Sequence, residues 1–121
     1  MKILLSNDDG YRAEGLRALD VEAARLTAEA IGDAASAAGV PIQTDHLGAM
    51  FGFFLTDEPV TDYTSAARSD RAAFARLHRL LLDRGVYLPP SPFEACFTSS
   101  AHTLSVVEEA AAAFRTAFAL L

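Results

Sequence analysis

Hydrophobic positions along the chain fall into blocks whose spacing alternates between the helical and the extended period. Lys2 to Ser6 is a short apolar run stopped by Asn7-Asp8-Asp9-Gly10, the pattern of a buried strand that ends in a turn. From about Ala13 the chain turns alanine-rich, and Leu16, Leu19, Ala23, Leu26 and Ala30 recur at three and four, as one face of a helix requires. Gly39-Val40-Pro41 stops that helix, while Gly15, Gly32 and Asp20 predict a break near Leu19–Val21. Ile42 to Leu47 and Met50 to Thr56, divided by Gly48, predict an antiparallel pair. Asp62 to Ser69 is polar and predicts a loop with a turn of helix. Asp70 to Arg84 carries Phe74, Leu77 and Leu81 on one face. Val86 to Leu88 is extended before Pro89-Pro90. A last helix starts near Ser105, where Ser105-x-x-Glu108 matches a capping box, and its stripe is Val107, Ala110, Phe114, Phe118 and Leu121. The economical fold for this order is α+β, a small, mostly antiparallel sheet of the split βαβ kind with helices packed on one face.

Composition narrows the class without naming a function. The 121 residues make one domain, 1–121, with 51% hydrophobic and 21% charged residues, ordinary for a globular chain. The apolar surplus is mostly alanine, which favours helix, and no apolar run approaches the roughly 20 residues of a membrane span. The opening MKILLS is too short for a signal peptide. A formal charge of −6 without a basic cluster excludes nucleic acid and anionic membrane as expected partners. The single cysteine, Cys96, precludes an internal disulfide and fits a cytoplasmic chain.

Three pieces standing in order carry a resemblance: AAGVPIQ, then GAMFGFFLTDEPVTDY, then SDRAAFARLHRLLLDRGVYLPPSPFEACFTSSAHT. Residues from about 26 to 121 resemble the C-terminal domain of glutamate-1-semialdehyde 2,1-aminomutase, a pyridoxal-phosphate enzyme of tetrapyrrole synthesis. The resemblance implies a small domain that closes over one side of an active site held by a larger cofactor domain. Where the family's pattern reads Gly-Ser-Met-Phe, this chain has Gly48-Ala49-Met50-Phe51, and a hydroxyl is missing. Glu94 matches a family glutamate expected to reach the active-site cleft. Between Phe93 and Ala95, near a proline corner, that carboxylate is expected to be poorly solvated and able to exchange a proton near neutrality. The plain alternative is a surface residue or a turn cap. The cofactor of such an enzyme is held through a lysine amine, and the one lysine here, Lys2, stands outside the matching pieces. No cofactor is therefore expected in the isolated chain, although pyridoxal phosphate serves the parent.

Residues 1 to about 19, MKILLSNDDGYRAEGLRAL, resemble a different family, the SurE-type survival-protein nucleotidases, which are metal-dependent phosphatases of nucleoside monophosphates. Asp8 and Asp9 match that family's metal-binding aspartates. Adjacent carboxylates at a strand end suit a hard cation such as Mg²⁺ or Mn²⁺, held weakly here because the family's further serine and asparagine ligands have no counterpart. A solvated turn is the alternative. Two unrelated resemblances meeting between Leu19 and Leu26 imply a chimera, non-catalytic by itself. The surface that faces the large domain in the parent would then be open for self-association.

Other residues point to structure. His46, His78 and His102 have no ligand spacing, so a zinc site is not expected. His102-Thr103 belongs to the start of the last helix, as a cap or a first-turn contact. Cys96 reads as a small buried hydrophobe. Met50, Phe51, Phe53 and Phe54 read as sheet and core. Arg68, Arg71, Arg76, Arg79 and Arg84 read as a solvated helix face.

Overall fold

A computed structural model describes residues 14–121 and the strand Ile3–Leu4, with side chains from residue 18 onward. The element order is β1 (Ile3–Leu4), α1 (Glu14–Ala37), β2 (Gln43–Leu47), β3 (Met50–Phe54), α2 (Tyr63–Ala66), α3 (Arg71–Leu82), β4 (Val86–Tyr87), β5 (Cys96–Phe97) and α4 (Leu104–Ala119). The fold is α+β. Strands β2, β3 and β5 form an antiparallel sheet in the order β2-β3-β5, and β1 pairs in parallel with β4 away from it. The opening strand therefore does not extend the antiparallel sheet, which departs from the single split βαβ sheet expected.

The expected break near Leu19–Val21 is absent: α1 runs unbroken from Glu14 to Ala37. Its buried positions, Asp20, Ala23, Ala24, Thr27, Ala28, Ile31, Ala34 and Ala35, keep one face at spacings of three and four through that region. Asp20 does not start a second helix; it lies on the buried face of this one. On the solvent side Arg25 bonds Glu22 one turn before it and Glu29 one turn after it, the latter at 2.8 Å. The helix ends as its glycine demands. Gly39 adopts φ of 72°, Val40 N–H donates to Ala35 O at 2.9 Å and Gly39 N–H to Ser36 O at 3.1 Å, a Schellman closure.

The predicted hairpin pairs Gln43 with Phe54 and Leu47 with Met50, leaving Gly48-Ala49 as its two-residue loop. Gly48 has φ of 59° and no described non-glycine residue has positive φ, the arrangement of a turn with glycine in first place. Along β3 the pleat buries Phe51 and Phe53 and leaves Met50, Gly52 and Phe54 half-buried. Helix α1 packs against β2 and β3 and also against α4. The many alanines of α1, with Ala110 and Ala117 of α4, allow close approach, and bulk comes from aromatic rings. Phe53 meets Phe114 edge-on at 6.2 Å and Phe74 at 6.0 Å, and Phe114 stacks on Phe118 at 6.1 Å.

Helix α3 follows the predicted stripe, burying Phe74, Leu77 and Leu81, with Asp70 as N-cap accepting from Ala73 N–H at 2.9 Å. The short α2 carries a reciprocal box in which Asp62 and Ser65 bond each other's backbone. Helix α4 begins two residues earlier than expected. Its N-cap is Thr103, whose side chain accepts from Val106 N–H, so Ser105 and Glu108 lie inside the helix and do not form the expected box.

Candidate functional site

One face of the antiparallel sheet is covered by α1, and the other opens onto a groove of about 480 Å³. Register places Gln43, Asp45, Leu47, Met50, Gly52 and Phe54 together on this open face. The facing wall is Pro92 to Ala95, and Pro59-Val60 closes one side. Apolar side chains dominate the lining, and its ionisable groups are Asp45, His46 and Glu94. At the free edge of β2, Asp45 accepts from His46 N–H at 2.8 Å, which satisfies a backbone donor that would otherwise invite another strand.

Glu94 does line the groove, but its environment is not the one expected. Phe93, Glu94 and Ala95 are all exposed, so no described residue shields the carboxylate from water. Its backbone N–H donates to Ser91 O at 3.3 Å, one bond of the tight Ser91–Glu94 corner. Next to it, the Arg71 guanidinium lies 5.0 Å over the Phe93 ring and Tyr63 packs on that ring at 5.5 Å. The five arginines are exposed as expected, yet Arg71 is specialised: it steadies the aromatic lip of the groove. The sequence signal for this was weak, since Arg71 and Phe93 lie on separate elements.

Cys96 is buried in β5, and burial, then the nearby Glu94 charge, pushes its thiol up to about 12. It is a neutral packing group at physiological pH and not a nucleophile. His78 is half-buried, its Nε2 3.0 Å from Leu88 O, and it packs against Phe74 and Tyr87. His102 Nδ1 accepts from Ser99 N–H at 2.9 Å, and His46 stands on β2, so the fold does not bring the three imidazoles together. Among the described residues no group of three or more His, Cys, Asp or Glu could hold a metal. Asp8, Asp9 and Lys2 lie outside the described residues. No described helix is long and apolar enough to cross a membrane.

The architecture has clear counterparts among solved structures. One is a transaminase with pyridoxal phosphate bound, at a TM-score of 0.72 and 20% identity over 89% of this chain and 24% of that one. The chain superposes on an omega-transaminase from Sphaerobacter thermophilus with a TM-score of 0.79 and 24% identity, covering 88% of this chain and 24% of that one. A glutamate-1-semialdehyde aminomutase from Pseudomonas aeruginosa gives a TM-score of 0.75 at 19% identity over 87% of this chain and 23% of its own. At these identities the likeness establishes a shared fold. Sequence similarity is more particular. The glutamate-1-semialdehyde 2,1-aminomutase of Acidobacterium capsulatum is 45% identical over 94 residues, 78% of this chain and 22% of that protein. That of Desulfosudis oleivorans is 44% identical over 102 residues, 84% of this chain and 24% of its own. The resemblance to the aminomutase C-terminal domain is thus supported in both sequence and fold. The chain spans less than a quarter of the length of these relatives. No family model matches it.

The described residues do not suit pyridoxal phosphate as an anchored group. They include no lysine to hold it as an imine, and the groove offers its phosphate carboxylates, an imidazole and apolar side chains.

Proposed function

We propose that these residues act as the closing domain of an aminomutase-type pyridoxal-phosphate enzyme. In this reading the open sheet face and the Pro92–Ala95 wall cover an active site whose cofactor anchor is supplied by polypeptide outside these residues. The parent reaction is the conversion of glutamate-1-semialdehyde to 5-aminolevulinate. The supporting observation is the 45% identity over 94 residues, carried on a fold shared with transaminases. Glu94 sits at the lip of the groove, where docking of a second domain would withdraw it from water and give it the shielding this chain lacks. Phe93, fixed between Arg71 and Tyr63, would form the contact edge.

By itself the chain is a non-catalytic module. Purified chain, free of host enzyme and supplied with pyridoxal phosphate and glutamate-1-semialdehyde, is expected to form no 5-aminolevulinate above the uncatalysed background. Enzymatic turnover would overturn this. The joining of a nucleotidase-like opening to an aminomutase-like remainder rests on the resemblance of residues 1 to about 19, and a metal-dependent phosphatase reading on Asp8 and Asp9 within them. Phosphate release from nucleoside monophosphates that an Asp9→Asn change abolished would revive the phosphatase.

A further inference from the structure

The least satisfied polar group of the described chain lies away from the groove, where α1 meets the segment after β5. Asp20 is 3% exposed, and its Oδ1 is fully buried with no hydrogen-bond partner. Its backbone is not idle. Thr98 Oγ1 donates to Asp20 O at 2.6 Å, while Thr98 N–H donates to Ala49 O at 2.9 Å, so one residue ties α1 to the hairpin loop. A buried carboxylate with one unpartnered oxygen at such a joint costs free energy when it is ionised and much less when it is protonated.

We propose that Asp20 is a proton-operated latch: its protonated carboxyl lets α1 clamp the Thr98–His102 segment, and its ionisation loosens that joint. Burial raises the Asp20 carboxyl above the usual aspartate range, and the opposing effect is the His102 charge, which favours the ionised form. His102 reaches the site from the loop before α4, where its Nδ1 accepts from Ser99 N–H, so a neutral ring carries its proton on Nε2. From α1, Glu22 and Arg25 are bonded to each other at the surface, and Arg17, three residues before Asp20, has its side chain outside the described ones. From the first half of α4, Glu108 and Glu109 are exposed; from β2, so are Asp45 and His46. From β5 the segment offers hydroxyls, Thr98 and Ser99. The latch also has a route to the groove, because β5 spans only Cys96 and Phe97 between the Pro92–Ala95 wall and Thr98. Loosening the joint would free that wall.

The sign follows from the raised folded-state value. The joint is strongest below the range in which an unfolded aspartate ionises, and it weakens as pH rises through Asp20's own, higher midpoint. The experiment follows the Asp20 carboxyl by ¹³C NMR while measuring amide-exchange protection factors, corrected for intrinsic rates, at residues 98–102. The expected result is a carboxyl midpoint above the ordinary aspartate range, with protection at residues 98–102 falling several-fold through the same midpoint. Asp20→Asn, a neutral isostere, is expected to hold that protection level across the range. A midpoint at or below the ordinary range, or protection that ignores the carboxyl titration, overturns the latch. Both readouts come from the unmodified chain, so the proposal stays testable if the variant folds poorly.

Discussion

Two hydroxyls compete to cap α4, and the structure selects the less conspicuous one. Ser105 with Glu108 has the sequence spacing of a capping box, but Thr103 has extended φ and ψ of −68° and 167° and accepts from Val106 N–H. Thr103→Ala is expected to cost about 1 kcal/mol in chemical unfolding, toward the low end because the capping bond is 3.4 Å long. Ser105→Ala, an exposed first-turn position, should stay within about 0.5 kcal/mol of the parent. Equal losses from the two changes would restore the Ser105 cap. At this scale the sequence showed which residue types were available, and the chain path decided between them. Glu94 makes the same point. Its flanking Phe93 and Ala95 suggested shielding, but apolar neighbours in sequence do not desolvate a carboxylate when the wall they form faces water.

At the scale of elements, periodicity was legible in α3 but not in α1. The stripe expected for α1 included Leu19, which is 62% exposed, and the buried face instead runs through Asp20, Ala24, Thr27 and Ile31. The α3 stripe of Phe74, Leu77 and Leu81 is buried as read, because twelve residues repeat one pattern often enough to define a face. Strand β5 was missed because two residues have no period, and only their pairing with Met50 and Phe51 makes them a strand. The unbroken α1 shows the limit of local propensity: Gly32 weakens a helix in isolation, but burial of the face on either side carries the helix through it. A Cβ placed on Gly32 would come no nearer than 3.5 Å to Thr44 Oγ1, an ordinary contact. Gly32→Ala is therefore expected to raise stability by about 0.5–1 kcal/mol, since it removes backbone freedom from the unfolded chain at no steric cost. A lower melting temperature for the variant would show that α1 and β2 approach more tightly than this.

For the molecule as a whole, the decisive property is that the sheet has one covered face. Leu47 is 75% exposed, and Phe93 and Phe97 are more than one third exposed, around an apolar groove that shows no basic side chain apart from His46. Such a face is a liability without a partner. We expect the chain to self-associate with rising concentration by light scattering, and a Leu47→Glu/Phe93→Ser double change to restore the monomer. A parent chain that stays monomeric at high concentration would show that the groove is not adhesive in water.

By itself the sequence determined the α+β class, the hairpin, the amphipathic α3 and the resemblance to an aminomutase domain. Each of these is written in local period, turn chemistry or linear motif, which survive without knowledge of neighbours. The tertiary structure alone decided that β1 pairs with β4, and it chose between the two caps the sequence offered for α4, Thr103 and Ser105, in favour of Thr103. It also decided that Arg71 steadies Phe93 and that one carboxylate oxygen of Asp20 is buried with no hydrogen-bond partner. These depend on which distant segments meet and how much water remains between them, and burial and pairing across the chain are not encoded at any single position.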